Sequence, residues 1–280
     1  MRDTNANQQS AVATFRELHQ SGCFVLPNPW DIGTALYLRH LGFKALATTS
    51  AGFAFTRGLK DGGVPRDEML AHIREIVNAT PLPVNADFLN GYADNPEKVA
   101  ENVKLCVATG VAGLSMEDST GRSETPLYEK NLAIERIRAA RVAIDETKIP
   151  VVLTGRCETW LVGQEDSLGI ALDRLVAYAE AGADCLYAPG VKAPNKIAEI
   201  VKAVAPKPVN VLVAGFNYEL SLAQLADLGV RRISVGSALA TATWTAFVAA
   251  AKGIAENGVF DAFANGTPST KLYEAFSARS

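Results

Sequence analysis

Three stretches of the chain end an apolar run on side chains that could do chemistry. In Pro83-Val84-Asn85-Ala86-Asp87 an amide and a carboxylate follow two residues apart, and Gly113-Leu114-Ser115-Met116-Glu117-Asp118 closes on two acids. Pro150-Val151-Val152-Leu153-Thr154-Gly155-Arg156-Cys157-Glu158 closes on an arginine and a glutamate. Side chains alternate along an extended chain, so Asn85 and Asp87 share a face, as do Thr154, Arg156 and Glu158. Such a set suits a hard cation: Mg²⁺ takes one or two carboxylates and fills its octahedron with water and substrate oxygens. Asp87 and Glu117 are the candidate ligands, and Asn85 is a neutral oxygen donor beside them. Arg156 is the candidate clamp for a substrate carboxylate or phosphonate, because its planar fork matches such groups. Glu158 and Asn210 are further strand-end candidates for contacting substrate. Each residue also has a structural use. Asp87 can cap the following turn, Glu117 or Glu158 can pair with Arg156, and Asp118 is expected to face away and cap its loop.

These residues need a frame that brings strand ends together. Strand-like runs occur at Cys23–Asn28, Lys44–Ser50, Pro83–Asp87, Gly113–Asp118, Pro150–Arg156, Cys185–Pro189, Pro208–Val213 and Arg232–Ser237. Between them lie patterns such as DEMLAHIREIVNA and NLAIERIRAARVAI, apolar at three- and four-residue spacing. Eight alternations, and no Gly-x-Gly-x-x-Gly after the first strand, predict a (β/α)₈ TIM barrel. Its chemistry belongs at the C-terminal strand ends, where Asn28, Asp31, Thr48 and Ser50 also fall. Residues 1–280 read as one barrel domain, with an N-terminal helical segment at 1–22 and a C-terminal helical segment at 238–280. The latter, ALATATWTAFVAAAKGIAENG, is apolar around most of its circumference and must cap the core or pack on another subunit.

Composition narrows the partners. Over 280 residues the net charge is −3, and the 27 Lys and Arg residues are dispersed, which argues against a broad nucleic-acid surface. The N-terminus lacks an apolar signal core, and no apolar run is expected to reach the ~18 residues of a bilayer span, so no membrane partner and a cytoplasmic location are expected. Cys23, Cys106, Cys157 and Cys185 form no CxxC pair and read as reduced thiols, Cys157 and Cys185 as small buried residues. His19, His40 and His72 all fall in helical patterns, so no histidine base is expected. The small residues of LVAGFN and VGSAL could cradle a phosphate, or simply permit tight packing.

With these motifs assembled, the chain resembles the isocitrate lyase / phosphoenolpyruvate mutase superfamily. The resemblance rests on LPNPWDIGTALYLRHLGFKALATTSAG, VNADFLNGY, SMEDS and TGRCETWL, which occur in order between about Phe24 and Phe260. It implies a barrel whose eighth helix swaps onto a partner in dimers that assemble as tetramers. It also implies Mg²⁺-supported making or breaking of C–C or P–C bonds beside a 2-oxo acid, through an enolate. The backbone of Ser50, Ala51 and Gly52 would then bind the substrate carboxylate. Asp61, in GLKDGG, matches the acidic residue on the loop after strand two that approaches the reacting group, and would be catalytic. Asp87 and Glu117 would support the metal, and Arg156 would bind substrate as part of the catalytic set. Two departures stand out. Asn85 replaces the first acid of an Asp-x-Asp pair, and the loop GRSETPLYEKN has neither the Cys nor the His of a Lys-Lys-Cys-Gly-His segment. The second counts against isocitrate and methylisocitrate cleavage. Arg122, Ser123, Tyr128, Lys130 and Asn131 are present there without an assigned role. The leading expectation is a Mg²⁺-dependent lyase of a 2-oxo or 2-hydroxy carboxylate. The alternatives are a phosphonate mutase or hydrolase, such as a carboxyphosphonoenolpyruvate phosphonomutase, and a non-catalytic metabolite-binding barrel.

Overall fold

Each predicted apolar run forms a short parallel strand in the computed structural model, which describes residues 4–215 and 218–277. The strands are β1 (Phe24–Leu26), β2 (Leu46–Ala47), β3 (Val84–Asp87), β4 (Gly113–Glu117), β5 (Val152–Arg156), β6 (Cys185–Tyr187), β7 (Val209–Leu212) and β8 (Arg232–Ser234). Pairing runs from β2 to β8 in sequence order, and β8 then pairs with β1. Between β1 and β2 the Ala47 N–H donates to the Pro27 carbonyl at 3.0 Å, so the ring closes as a (β/α)₈ barrel.

The helices are α1 (Thr4–Leu18), α2 (Ile32–His40), α3 (Ser50–Thr56), α4 (Arg66–Ala79), α5 (Pro96–Val107), α6 (Lys130–Glu146), α7 (Ser167–Glu180), α8 (Pro194–Val204), α9 (Leu222–Asp227), α10 (Ala238–Asn257) and α11 (Ser269–Ser277), with a 3₁₀ turn at Asp261–Asn265. Their starts follow local chemistry. Asn95 caps α5 ahead of Pro96, and Asp166 caps α7. Asp31 and Thr34 form a capping box for α2, so Asp31 is used at a helix start and does not line the barrel. Between strands and helices, Leu114, Leu153 and Leu186 are buried with Ile137, Leu175 and Ile197 as the main core.

The N-terminal segment plugs the barrel at the end away from the strand C-termini. Phe15 of α1 is fully buried, edge-on to Phe24, and Gln8 donates to the Val107 and Val111 carbonyls at 2.8 and 3.0 Å. Gly113 must lack a side chain here, since a Cβ would lie 2.6 Å from Phe15 and 2.7 Å from the Asn85 amide oxygen. Above this plug the lumen is polar. The buried Arg232 guanidinium donates to Asn210 and Thr154 at 2.9 Å each and meets His19 Nε2 at 3.3 Å.

After β8 the chain leaves the barrel. Only Ala240 of α10 is buried, while Trp244, Phe247, Val248 and Ile254 are exposed, and α11 returns to pack on α2. Contrary to the expectation that no run reaches bilayer-spanning length, the 20 residues of α10 are long and apolar enough by length and composition. The reason is its run of Ala, Val and Thr, with its charged residues held to the C-terminal end. Of the expected elements, residues 1–3 and 278–280 of the terminal segments, and Phe216 and Asn217 of LVAGFN, lie outside the described residues.

Candidate active site

Asp87, Glu117 and Arg156 are the last residues of β3, β4 and β5. Glu117 and Arg156 are direct register partners, and β3 lies next to β4, so the three side chains enter the lumen side by side. One guanidinium nitrogen, Nη1 of Arg156, is 3.3 Å from Asp87 Oδ1 and 3.3 Å from Glu117 Oε2. The other edge of the fork is taken by Glu158, which accepts from Nε, and the Tyr187 ring lies 5.3 Å from the guanidinium carbon. Asp87 is held from behind. Its Oδ2 accepts from the Ser50 N–H at 2.9 Å and the Ser50 hydroxyl at 2.8 Å, while its own N–H donates to Thr48 Oγ1 at 2.9 Å.

Burial and crowded charge dominate the electrostatics. Loss of water raises the Glu117 carboxyl well above the ordinary range, against the pull of Arg156 and reinforced by Glu158, Asp87 and Asp61. Glu158 is raised for the same first reason, with Arg156 opposing. For Arg156 burial works against the charge, but Glu158, Glu117, Tyr187 and Asp87 together outweigh it and hold the guanidinium firmly protonated. Asp61 stands on the exposed loop between α3 and α4. The atoms packed around it, and then the Asp87 charge, raise its carboxyl, with Ser50 and Arg156 partly offsetting them. Asp61 therefore senses the same cluster.

The remaining expected residues divide. Ser50, Ala51 and Gly52 open α3 beside Asp87, and a Cβ on Gly52 would come within 2.6 Å of the Thr49 methyl. Asn85 is set apart: it pairs with Gly113, two residues below Asp87, and its buried Oδ1 has no hydrogen-bond partner. Asn210 is occupied as well, accepting from Arg232 and donating to Ser234 Oγ at 2.9 Å, so it belongs to the polar lumen beneath the site. In the loop after β4, Tyr128 bonds Asp94 and Asn90, Arg122 pairs with Asp94 at 2.9 Å, and Lys130 pairs with Asp173 at 2.7 Å. There Ser123 donates to Glu124, and the Asn131 N–H donates to Glu129. Asp118 faces away from the lumen as expected, but its carboxylate joins Arg174 and the Glu158 N–H instead of capping the loop. Tyr187 was missed in the sequence, although the parity of CLYAP gave a signal: it is the register partner of Arg156.

Among the described residues, no three His, Cys, Asp or Glu side chains are grouped to hold a metal. The donor set does suit a cation that needs fewer protein ligands. Asp87 and Glu117 each bring one oxygen to 3.3 Å from Arg156 Nη1 and so stand side by side in the lumen, and one or two carboxylates with water and substrate oxygens are what Mg²⁺ accepts.

Residues 15–255 match the family model for phosphoenolpyruvate phosphomutase. The chain belongs to this family. Within the phosphoenolpyruvate phosphomutase family and its structural neighbours, a Burkholderia cenocepacia structure provisionally described as a lyase/mutase is 46% identical, with a TM-score of 0.93 and 98% of each chain covered. An uncharacterized Mycobacterium tuberculosis protein is 34% identical over 247 residues, 87% of this chain and 89% of its own. Oxaloacetate acetylhydrolase, solved with its product oxalate, is 25% identical with a TM-score of 0.85, covering 97% of this chain and 95% of its own. The fold and the family inferred from the strand-end motifs are thus correct.

Proposed function

We propose that this chain is a lyase that makes or breaks a C–C bond beside the 2-oxo or 2-hydroxy carbon of a small carboxylate, through an enolate. The observation that carries this reading is the convergence of Asp87 Oδ1 and Glu117 Oε2 on one nitrogen of the buried Arg156. An enolate gathers negative charge as the bond changes, and a fixed, desolvated guanidinium stabilises such charge without having to reorganise. Arg156 binds the substrate carboxylate, and the backbone of Ser50, Ala51 and Gly52 receives oxygens beside it. Asp87 and Glu117 are the residues that would hold Mg²⁺, which when bound supplies positive charge to polarise a carbonyl. Asp61, whose carboxyl is raised from its ordinary value, handles the proton. The acetylhydrolase relative, with oxalate as its product, supports a small dicarboxylate substrate. Glu158 orients Arg156 in this scheme, and α10 would join copies of the chain into a dimer or tetramer working in the cytoplasm.

The family's own description favours a second reading, a mutase or hydrolase acting on a P–C bond. The two separate in one experiment. Four- to six-carbon 2-oxo and 2-hydroxy acids, together with phosphonopyruvate, are incubated with the protein plus Mg²⁺ or plus EDTA and followed by ¹H and ³¹P NMR. We expect C–C cleavage of at least one carboxylate, abolished by EDTA. Turnover of phosphonopyruvate alone would overturn the lyase in favour of P–C chemistry. No turnover of any compound, with oxalate still bound, would leave a non-catalytic binding barrel.

A further inference from the structure

Behind the cluster lies a residue that touches none of its reactive atoms yet fixes two of its members. Asp118 follows Glu117 and therefore points to the opposite face of the strand end, toward α7. Its main-chain N–H donates to the Arg156 carbonyl at 3.1 Å, and its Oδ1 accepts from the Glu158 N–H at 2.9 Å. These two bonds bracket Cys157, whose own N–H donates to the Tyr187 carbonyl at 2.8 Å on the other side. The triplet Arg156-Cys157-Glu158 is thereby pinned between β4 and β6 just where regular pairing ends. The other carboxylate oxygen of Asp118 is anchored to α7, by Arg174 Nη1 at 3.1 Å and the Tyr178 hydroxyl at 2.7 Å. Arg174 Nη2 continues to the Tyr128 carbonyl at 2.8 Å, and the Tyr128 N–H returns to the Asp118 carbonyl at 2.9 Å.

We infer that Asp118 is a positioning residue: by holding the Glu158 backbone it makes Glu158 grip Nε of Arg156, and so aims Nη1 at the point shared by Asp87 and Glu117. This rests on the proposed function insofar as Arg156 receives the substrate carboxylate. The buried Glu158 N–H has no other acceptor among the described residues, so loss of the Asp118 carboxylate leaves that donor orphaned and the segment free to shift. Groups of this kind commonly control how well an aimed side chain performs.

A purely structural role would make every cut in the Asp118–Arg174 node equivalent, and this can be tested with the full chain. Asp118→Ala removes the acceptor, Asp118→Asn keeps one acceptor oxygen, and Arg174→Met removes the ion pair while sparing Oδ1. Two readouts are taken below each variant's melting temperature: the ¹⁵N–¹H signal of Arg156 Nε, and titration with oxalate in the presence of Mg²⁺. We expect D118A to lose the protected Nε–H signal and to bind oxalate at least tenfold more weakly. D118N should stay within about threefold of the parent, and R174M should keep both the signal and the affinity although its melting temperature falls. Where D118A does not fold, Asp118→Leu with Arg174→Met replaces the pair by apolar groups and should show the same loss. An unchanged Nε–H signal in D118A, or losses in R174M that match those of D118A, would overturn the inference. A parent protein that binds no oxalate speaks against the proposed function alone, and the Nε–H signal then decides the role of Asp118 by itself.

Discussion

At the scale of single residues, one guanidinium faces more acid than it can neutralise. Asp87, Glu117 and Glu158 all contact Arg156, and Asp61 adds a fourth carboxyl whose charge is felt by Glu117. Replacing Arg156 by Lys keeps the charge but loses the fork that meets Glu158 on one edge and the paired acids on the other. We expect R156K to lower kcat/KM by about 10²-fold or more, mostly through kcat, with little change in melting temperature; steady-state kinetics on the substrate found by the screen measures it. Asp61 gives a second prediction. Its carboxyl is raised from the ordinary value, and a base must be unprotonated, so kcat/KM should fall as pH drops through that raised value. Asp61→Asn should remove this acid limb from the pH–rate profile along with most of the activity. Asp87, Glu117 and Arg156 could be read from strand parity because each needs only its own strand. The same alternation put Glu158 within reach of Arg156, but the bracket made by Asp118 and the Thr48 hydroxyl behind Asp87 were not legible in that way. These two depend on which residues face one another across strands, and one chain's alternation does not specify that register.

At the scale of elements, α1 is the plug on which the polar lumen rests. His19, just past its end, donates from Nδ1 to the Phe15 carbonyl at 2.7 Å and presents Nε2 to Arg232. Burial and then the Arg232 charge lower its pKa to about 3, and burial lowers that of His72, stacked on Phe53, to about 4. Both folded values lie below the ordinary histidine value of 6.5, so the unfolded chain takes up protons that the folded one refuses between about pH 6.5 and 4. The contribution of these histidines is complete above that window and is lost as the pH falls through it. Each adds a slope of up to about 1.4 kcal/mol per pH unit. Across that window, thermal melts should show His19→Gln losing less melting temperature than the parent as the pH falls. The eight strands were legible because each short apolar run has turn residues on both sides. Asn210 was not: its placement at a strand end suggested a ligand contact, but Arg232 directly opposite claims its side chain.

At the scale of the whole molecule, α10 and the segment after it expose Trp244, Phe247, Val248, Val259, Phe260 and Phe263, more large apolar side chains than any other part of the described chain. Contiguous exposed surface of this kind marks an interaction site. The proposed pairing of copies through α10 predicts that the parent protein sediments as a dimer or tetramer, and that Trp244→Glu with Phe247→Glu yields a folded monomer. A parent that sediments as a monomer would refute that pairing. The sequence reads as apolar around most of the circumference of α10, but periodicity alone could not say that the barrel would leave it uncovered.

Asn28 stitches the place where the ring of strands is thinnest. Its amide nitrogen donates to the Thr48 carbonyl at 2.8 Å, and its oxygen accepts the consecutive Val235 and Gly236 N–H groups at 3.0 and 2.9 Å, two residues before α10 begins. The direction in which the apolar arm departs is consequently set by a side chain just past the first strand, more than two hundred positions away. Asn28→Ala should leave a folded barrel with faster hydrogen exchange at Val235 and Gly236. Its copies should meet at a loosened angle, visible as a broadened distribution of assembled species: quaternary geometry would turn out to be written into the seam of the barrel.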